Sequence, residues 1–134
     1  MKKNLLVFLL ISFCTVCSAQ VQKFKALSVV TRYENKGSWT KWSAPTETDI
    51  LLSINVDDNK IKIYSEKTQI YDIVKYYETE YDEDGDETIK MFCEDKNGNN
   101  CYVDLVKLNS QNGRLQLYIR YSDMNWMYNL YPAD

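Results

Sequence analysis

From residue 21 onward, apolar and polar residues alternate with a period of two in one stretch after another. Leu115, Leu117, Ile119 and Tyr121 fall on one side, and Arg114, Gln116, Tyr118 and Arg120 on the other. Ile50, Leu52, Ile54 and Val56 oppose Leu51, Ser53 and Asn55 in the same way. In an extended chain successive side chains point to opposite faces, so each stretch predicts a strand with one dry and one wet face. Eight strands can be placed: Lys23–Tyr33, Ile50–Val56, Lys60–Ser65, Gln69–Tyr77, Glu87–Glu94, Cys101–Leu108, Arg114–Tyr121 and Asn125–Tyr131. The segment from Glu66 to Tyr77 also admits a helical reading, but its β-branched and tyrosine content favours a strand.

The links between these segments carry hairpin chemistry. Asp57-Asp58-Asn59, Glu83-Asp84-Gly85-Asp86, Lys96-Asn97-Gly98 and Asn109 to Gly113 supply the residues that tolerate tight turns. Short links in succession imply an antiparallel meander, and a meander of this length tends to close on itself because closure removes both exposed edges. The expected fold is therefore all-β, an up-and-down barrel of about eight strands. The alternative is a two-sheet β-sandwich, although the Cys and Trp spacing of immunoglobulin domains is missing.

The first residues have a different character. Lys2 and Lys3 precede the apolar run Leu5 to Phe13, and Cys17-Ser18-Ala19 follows with small residues. This is the pattern of a signal peptide over residues 1–19, which leaves residues 20–134 as a single β-barrel domain in a periplasmic or secreted location. Cys14 and Cys17 follow Phe13 and Val16, neither of them the small residue that a lipid-accepting cysteine wants in front of it. The apolar run is too short to span a bilayer, and no second one follows, so an integral membrane protein is not expected.

Charge and composition narrow the function classes. Removal of Lys2 and Lys3 leaves 14 of the 16 basic residues against 19 acidic ones, with no basic run, a poor match to nucleic acid. There is no histidine, which removes the usual general base near neutral pH and the commonest transition-metal ligand. The remaining carboxylates fall in turns or on wet strand faces, and no pair is singled out for catalysis. A non-enzymatic protein is expected.

Three groups of residues carry candidate chemistry. Cys93 and Cys101 flank the turn around Lys96-Asn97-Gly98, and with Gly98 as a left-handed bulge residue they face each other across the hairpin, so a disulfide is expected. Residues 78 to 87 hold seven carboxylates, among which Asp82, Asp84 and Asp86 resemble part of an oxygen-rich calcium loop. Position twelve of that loop is Met91 in place of a bidentate Glu, so a solvated hairpin is the stronger expectation and calcium the weaker; no other cofactor is expected. Trp39 and Trp42 lie in the longest connection, near Tyr33, and either grip a ligand at the barrel mouth or plug one end as core. Trp126 belongs to the interior set with Tyr121 and Tyr128, while Tyr64 and Tyr118 alternate outward.

The segments Ile63 to Glu78 and Asp104 to Tyr131 resemble small exported β-rich proteins of Bacteroidota-type bacteria. That resemblance implies a compartment and a β-rich domain, and no activity. The meander is similar to lipocalin-like barrels, and a lipocalin G-x-W is present as Gly37-Ser38-Trp39, although it follows the first strand here and sits at the start of that strand there. The expected function is binding of a small apolar or amphipathic molecule at the barrel mouth, with Trp39, Trp42, Tyr33 and Trp126 as candidate contacts. The alternative is a protein-interaction or inhibitor domain that meets an extracellular protein through its outer surface.

Overall fold

The structure is a computed structural model that describes residues 21–133. The expected leader over residues 1–19, with Cys14 and Cys17, lies outside the described residues. Ten strands follow in order: β1 (Val21–Asn35), β2 (Ser38–Trp39), β3 (Thr46–Asn55), β4 (Lys60–Tyr64), β5 (Gln69–Tyr76), β6 (Glu80–Tyr81), β7 (Glu87–Asp95), β8 (Asn100–Leu108), β9 (Arg114–Arg120) and β10 (Met124–Pro132). The only helical element among the described residues is a single 3-10 turn at Asn109–Gln111. No helix among them is long and apolar enough to cross a membrane.

All pairings are antiparallel. The chain runs β1-β3-β4-β5-β7-β8-β9-β10 between neighbours, and β10 then pairs with β1 from Phe24↔Pro132 to Tyr33↔Met124. The result is a closed barrel of eight strands, with β2 and β6 as short outer additions to β1 and β7. Closure leaves no long unpaired edge, and the all-β up-and-down barrel expected from the alternation is the observed fold.

The dry faces point inward. Phe24, Leu52, Ile54, Ile61, Ile63, Ile89, Met91, Leu105, Leu117 and Ile119 are fully buried and fill the barrel through its middle. At one end Tyr76 donates its hydroxyl to Asn59 Oδ1 at 2.8 Å, and Val56 and Ile89 close the floor. The residues that alternate outward on β9, such as Tyr118 and Arg120, sit on the outer wall as expected.

Two bulges shift the alternation. In β1 the register slips between Ala26 and Ser28, and the extra residue, Leu27, is 45% exposed. Ala26 therefore points inward with Phe24, but beyond the slip Val29 and Thr31 are the inward residues, whereas Ser28 and Val30 face out. Without the inserted residue, strict alternation from Ala26 would carry Ser28 and Val30 inward as well. In β5 the slip lies between Ile73 and Lys75, and Val74, the extra residue, is 61% exposed.

The β7–β8 hairpin has the expected register, with Cys93 opposite Cys101. The expected disulfide is not formed: both are buried free thiols. Burial supplies the physical reason, since it keeps both thiols protonated and away from any oxidant, while the ladder itself sets them at an ordinary spacing. Asp95 donates its N–H to the carbonyl of Asn99 at 2.8 Å, which makes Asp95/Asn99 a hydrogen-bonded pair. Antiparallel pairs alternate, so Glu94/Asn100 is the close pair and Cys93/Cys101 is again of the hydrogen-bonded kind, about 5.5 Å between Cα atoms, a spacing that a disulfide accepts.

Candidate functional site

The end of the barrel opposite Asn59 and Tyr76 is open. There the turns β4–β5, β7–β8 and β9–β10 surround a cleft of about 540 Å³. Tyr71 on β5 and Tyr128 on β10 form its base, both almost fully buried. Gln69 joins them: the Tyr71 hydroxyl donates to Gln69 Oε1 at 2.6 Å, and Gln69 Nε2 donates to the Tyr128 hydroxyl at 3.2 Å and to Ser65 Oγ at 3.1 Å. This side-chain bridge from β5 to β10 stops the filled core and begins the cup.

The wall comes from Val29 and Thr31 on β1, Met124 and Trp126 on β10, and Tyr121 just past β9. Tyr121 and Trp126 stack with centroids 5.6 Å apart and an interplanar angle of 19°. The Tyr121 hydroxyl donates to Asp95 Oδ2 at 2.7 Å, and Asp95 Oδ1 accepts the N–H groups of Asn97 and Asn99, each at 2.9 Å. The same carboxylate thus shapes the β7–β8 turn and fixes a ring of the wall. Trp126 Nε1 is buried and without a hydrogen-bond acceptor. It lies near enough to the Tyr128 hydroxyl to favour that group's ionised form slightly, but not in hydrogen-bonding geometry. A buried indole N–H normally finds a partner.

The electrostatics of the cup are fixed. Burial raises Tyr71, Tyr121 and Tyr128 above the ordinary tyrosine value, and for Tyr121 the Asp95 carboxylate raises it further. The Tyr121 hydroxyl in turn holds Asp95 below the usual carboxylate range, helped by the Asn99 and Asn97 amides. Beneath the cup, burial pushes the Cys101 thiol up to about 11 and raises Cys93 more. The cup thus presents protonated hydroxyls and apolar surface beside one ionised carboxylate, with protonated thiols beneath it.

Of the four residues proposed from sequence as ligand contacts, only Trp126 lines this cleft. Trp39 and Trp42 neither plug the barrel nor line its mouth. The loop that carries them runs along the upper edge of β1, with Thr40 donating its N–H to the Tyr33 carbonyl at 2.8 Å and Ser43 donating its N–H to the Thr31 carbonyl at 2.8 Å. Their rings turn to the outer wall and clamp Arg32, whose guanidinium lies 4.8 Å from the Trp39 ring centre and 4.7 Å from that of Trp42. With its amide oriented to satisfy both ends, Asn125 accepts from Arg32 Nη2 at 3.0 Å and Nε at 3.1 Å. Trp42 also meets Tyr118 edge-on, and Arg120 covers Tyr118 while donating to Asp104 Oδ2 at 2.8 Å. Tyr33 stands on the rim, half exposed, beside neither cluster's centre. Sequence reasoning missed Tyr71, Gln69 and Met124, and a Tyr or Gln at the first residues of a strand carries no signal that its end is open.

Asp82, Asp84 and Asp86 do come together at the closed end, each with an oxygen within 4.8 Å of the others. Two of the three already have hydrogen-bond partners. Asp82 Oδ1 accepts the N–H groups of Asp84 at 2.9 Å and Asp86 at 3.0 Å, and Asp86 accepts the N–H and hydroxyl of Ser110 at 2.9 and 3.0 Å. The arrangement ties the acidic hairpin to the β8–β9 link.

A second, smaller groove of about 310 Å³ lies on the outer wall over β3 and β4, where Lys23, Ser53 and Lys62 stand side by side. Tyr64 is the one aromatic residue in its lining, and the groove opens on the wet face of the sheet, so the mouth is the better-formed site. Searches against family models, curated proteins and solved structures find no match to this chain.

Proposed function

We propose that this chain is a non-catalytic binding protein that holds a small apolar or amphipathic molecule in the open end of its barrel. The observation that carries this reading is the cleft over Tyr71, Gln69 and Tyr128, roofless where the rest of the barrel is packed solid. Its volume falls within the range of about 300–1,000 Å³ usual for small-molecule sites, and its apolar wall with a few convergent polar groups has the usual composition. The Trp126 ring adds a broad aromatic surface to the wall, stacked on Tyr121 and lining the cleft. The leader-like residues 1–19 support action in the periplasm or outside the cell.

A second reading, an interaction or inhibitor domain, is supported by the Arg32, Trp39, Trp42 and Tyr118 cluster on the outer wall. The faces of those rings are already covered by guanidinium groups, which leaves little free aromatic surface for a partner. Native mass spectrometry of protein taken from its own exporting cell tests the first reading. Extra mass that is lost on denaturation supports it. A bare chain that also fails to bind any amphipathic compound offered to it contradicts it.

A further inference from the structure

The reading of the mouth as a ligand site leaves open what kind of molecule enters, and the rim speaks to this. Three charged residues line the cleft: Lys67 from the β4–β5 turn, and Asp95 and Lys96 from the β7–β8 turn. Their charges are not equivalent. Asp95 stays ionised, but its oxygens are turned onto the Asn97 and Asn99 amides and the Tyr121 hydroxyl, so the two lysines leave the cleft lining with one net positive charge. Lys67 and Lys96 take part in no ion pair among the described residues. Glu66 and Asp123 stand in neighbouring turn positions but do not line the cleft.

Below that rim the surface is apolar and aromatic: Val29, Ile70, Tyr71, Met124, Trp126 and Tyr128. An elongated or planar apolar body therefore fits downward, with an anionic group left at the level of the two ammonium groups. The large-scale charge distribution agrees. The seven carboxylates of residues 78 to 87 lie at the far end, where β5 passes to β7, so the potential favours approach of an anion to the open end.

We infer that the cleft selects amphipathic organic anions, an apolar body carrying one carboxylate, and that Lys67 and Lys96 make the selection. This inference rests on the mouth being a ligand site. Neutral molecules of the same shape enter the same cup without the contribution of the rim.

Isothermal titration calorimetry of the protein with 2-naphthylacetate and with the isosteric neutral 2-naphthylacetamide tests it. The expected result is roughly tenfold tighter binding of the carboxylate, since two solvent-exposed charge contacts are each worth a few-fold in affinity. In the double variant Lys67→Gln with Lys96→Gln, the carboxylate should fall to the level of the amide. The amide should keep its wild-type affinity, which also shows that the variant is folded. Equal affinities in the wild type, or a carboxylate preference that survives in the double variant, overturn the inference while leaving the ligand site in place. Failure of both compounds to bind the wild type removes the ligand site and this inference with it.

Discussion

Tyr121 links the cleft wall to the turn beside it. One face of its ring stacks on Trp126, and its hydroxyl reaches Asp95. A hydrogen bond to an ionised carboxylate stabilises a fold more than a neutral one, but Asp95 lies largely in solvent, so Tyr121→Phe should cost only about 1 kcal/mol. The pH dependence identifies the partner. The folded state lowers the Asp95 value, so its contribution is complete above the ordinary carboxylate value of about 3.9 and is lost as pH falls through the lowered folded value. Urea midpoints of wild type and Tyr121→Phe should therefore differ at pH 6 and converge toward pH 2. A gap as wide at pH 2 as at pH 6 would show that the hydroxyl acts through some other group. Trp126 is the complementary residue, its ring held by Tyr121 and its Nε1 without an acceptor, so it is the natural reporter of anything that enters the cup.

At the scale of elements, the β7–β8 hairpin shows how turn chemistry sets a register. Gly98 has a φ of +81° and donates its N–H to the Asp95 carbonyl at 3.1 Å. A Cβ at Gly98 would meet nothing closer than 3.9 Å, so Gly98→Ala tests backbone conformation with no steric clash. It should lower stability by about 1–2 kcal/mol, the cost of a left-handed conformation for an L-residue, as read from thermal or urea unfolding. An unchanged midpoint would mean that the turn is not held in this conformation. The same hairpin marks how far sequence reaches. Alternation and turn residues suffice to place all eight barrel strands, including β5 in place of a helix, and to set Cys93 against Cys101. The thiols remain unbonded because both are buried, held protonated and out of reach of an oxidant, which alternation and turn residues alone do not show. The bulges at Leu27 and Val74 are less legible, since both are apolar residues in apolar stretches and only the register shows them leaving the core. Trp39 and Trp42 mislead for a related reason: large aromatic residues in a long loop suggest a mouth, but Arg32 at an outward position of β1 draws them to the outer wall.

For the whole molecule, one barrel combines a filled lower part with an open upper part, and buried ionisable groups are spread along its interior from Tyr71 under the cup to Tyr76 at the closed end. Burial raises Cys93, Cys101, Tyr71 and Tyr76, with Cys101 pushed up to about 11 and Tyr76 to about 12. A raised folded value means that stability is complete below the unfolded value, about 8.5 for a thiol, and declines as pH rises toward the folded one. Urea midpoints should hold steady up to pH 8 and fall between pH 9 and 11. A Cys93→Ala, Cys101→Ala protein should begin from a lower midpoint because of the cavity, yet lose less over the first part of that interval. A wild-type midpoint that is flat to pH 11 would place the thiols in contact with water.

The three tryptophans allow the central claim, a ligand cup at the open end, to be read directly. Trp126 is inside the cup, and Trp39 and Trp42 are on the outer wall. Titration of 15N-labelled protein with 2-naphthylacetate, followed through the three indole N–H resonances, separates the two places in one experiment. A saturable shift of the Trp126 signal is expected as its surroundings change, with the Trp39 and Trp42 signals nearly still. Movement of the Trp39 and Trp42 signals while Trp126 stays fixed would contradict it.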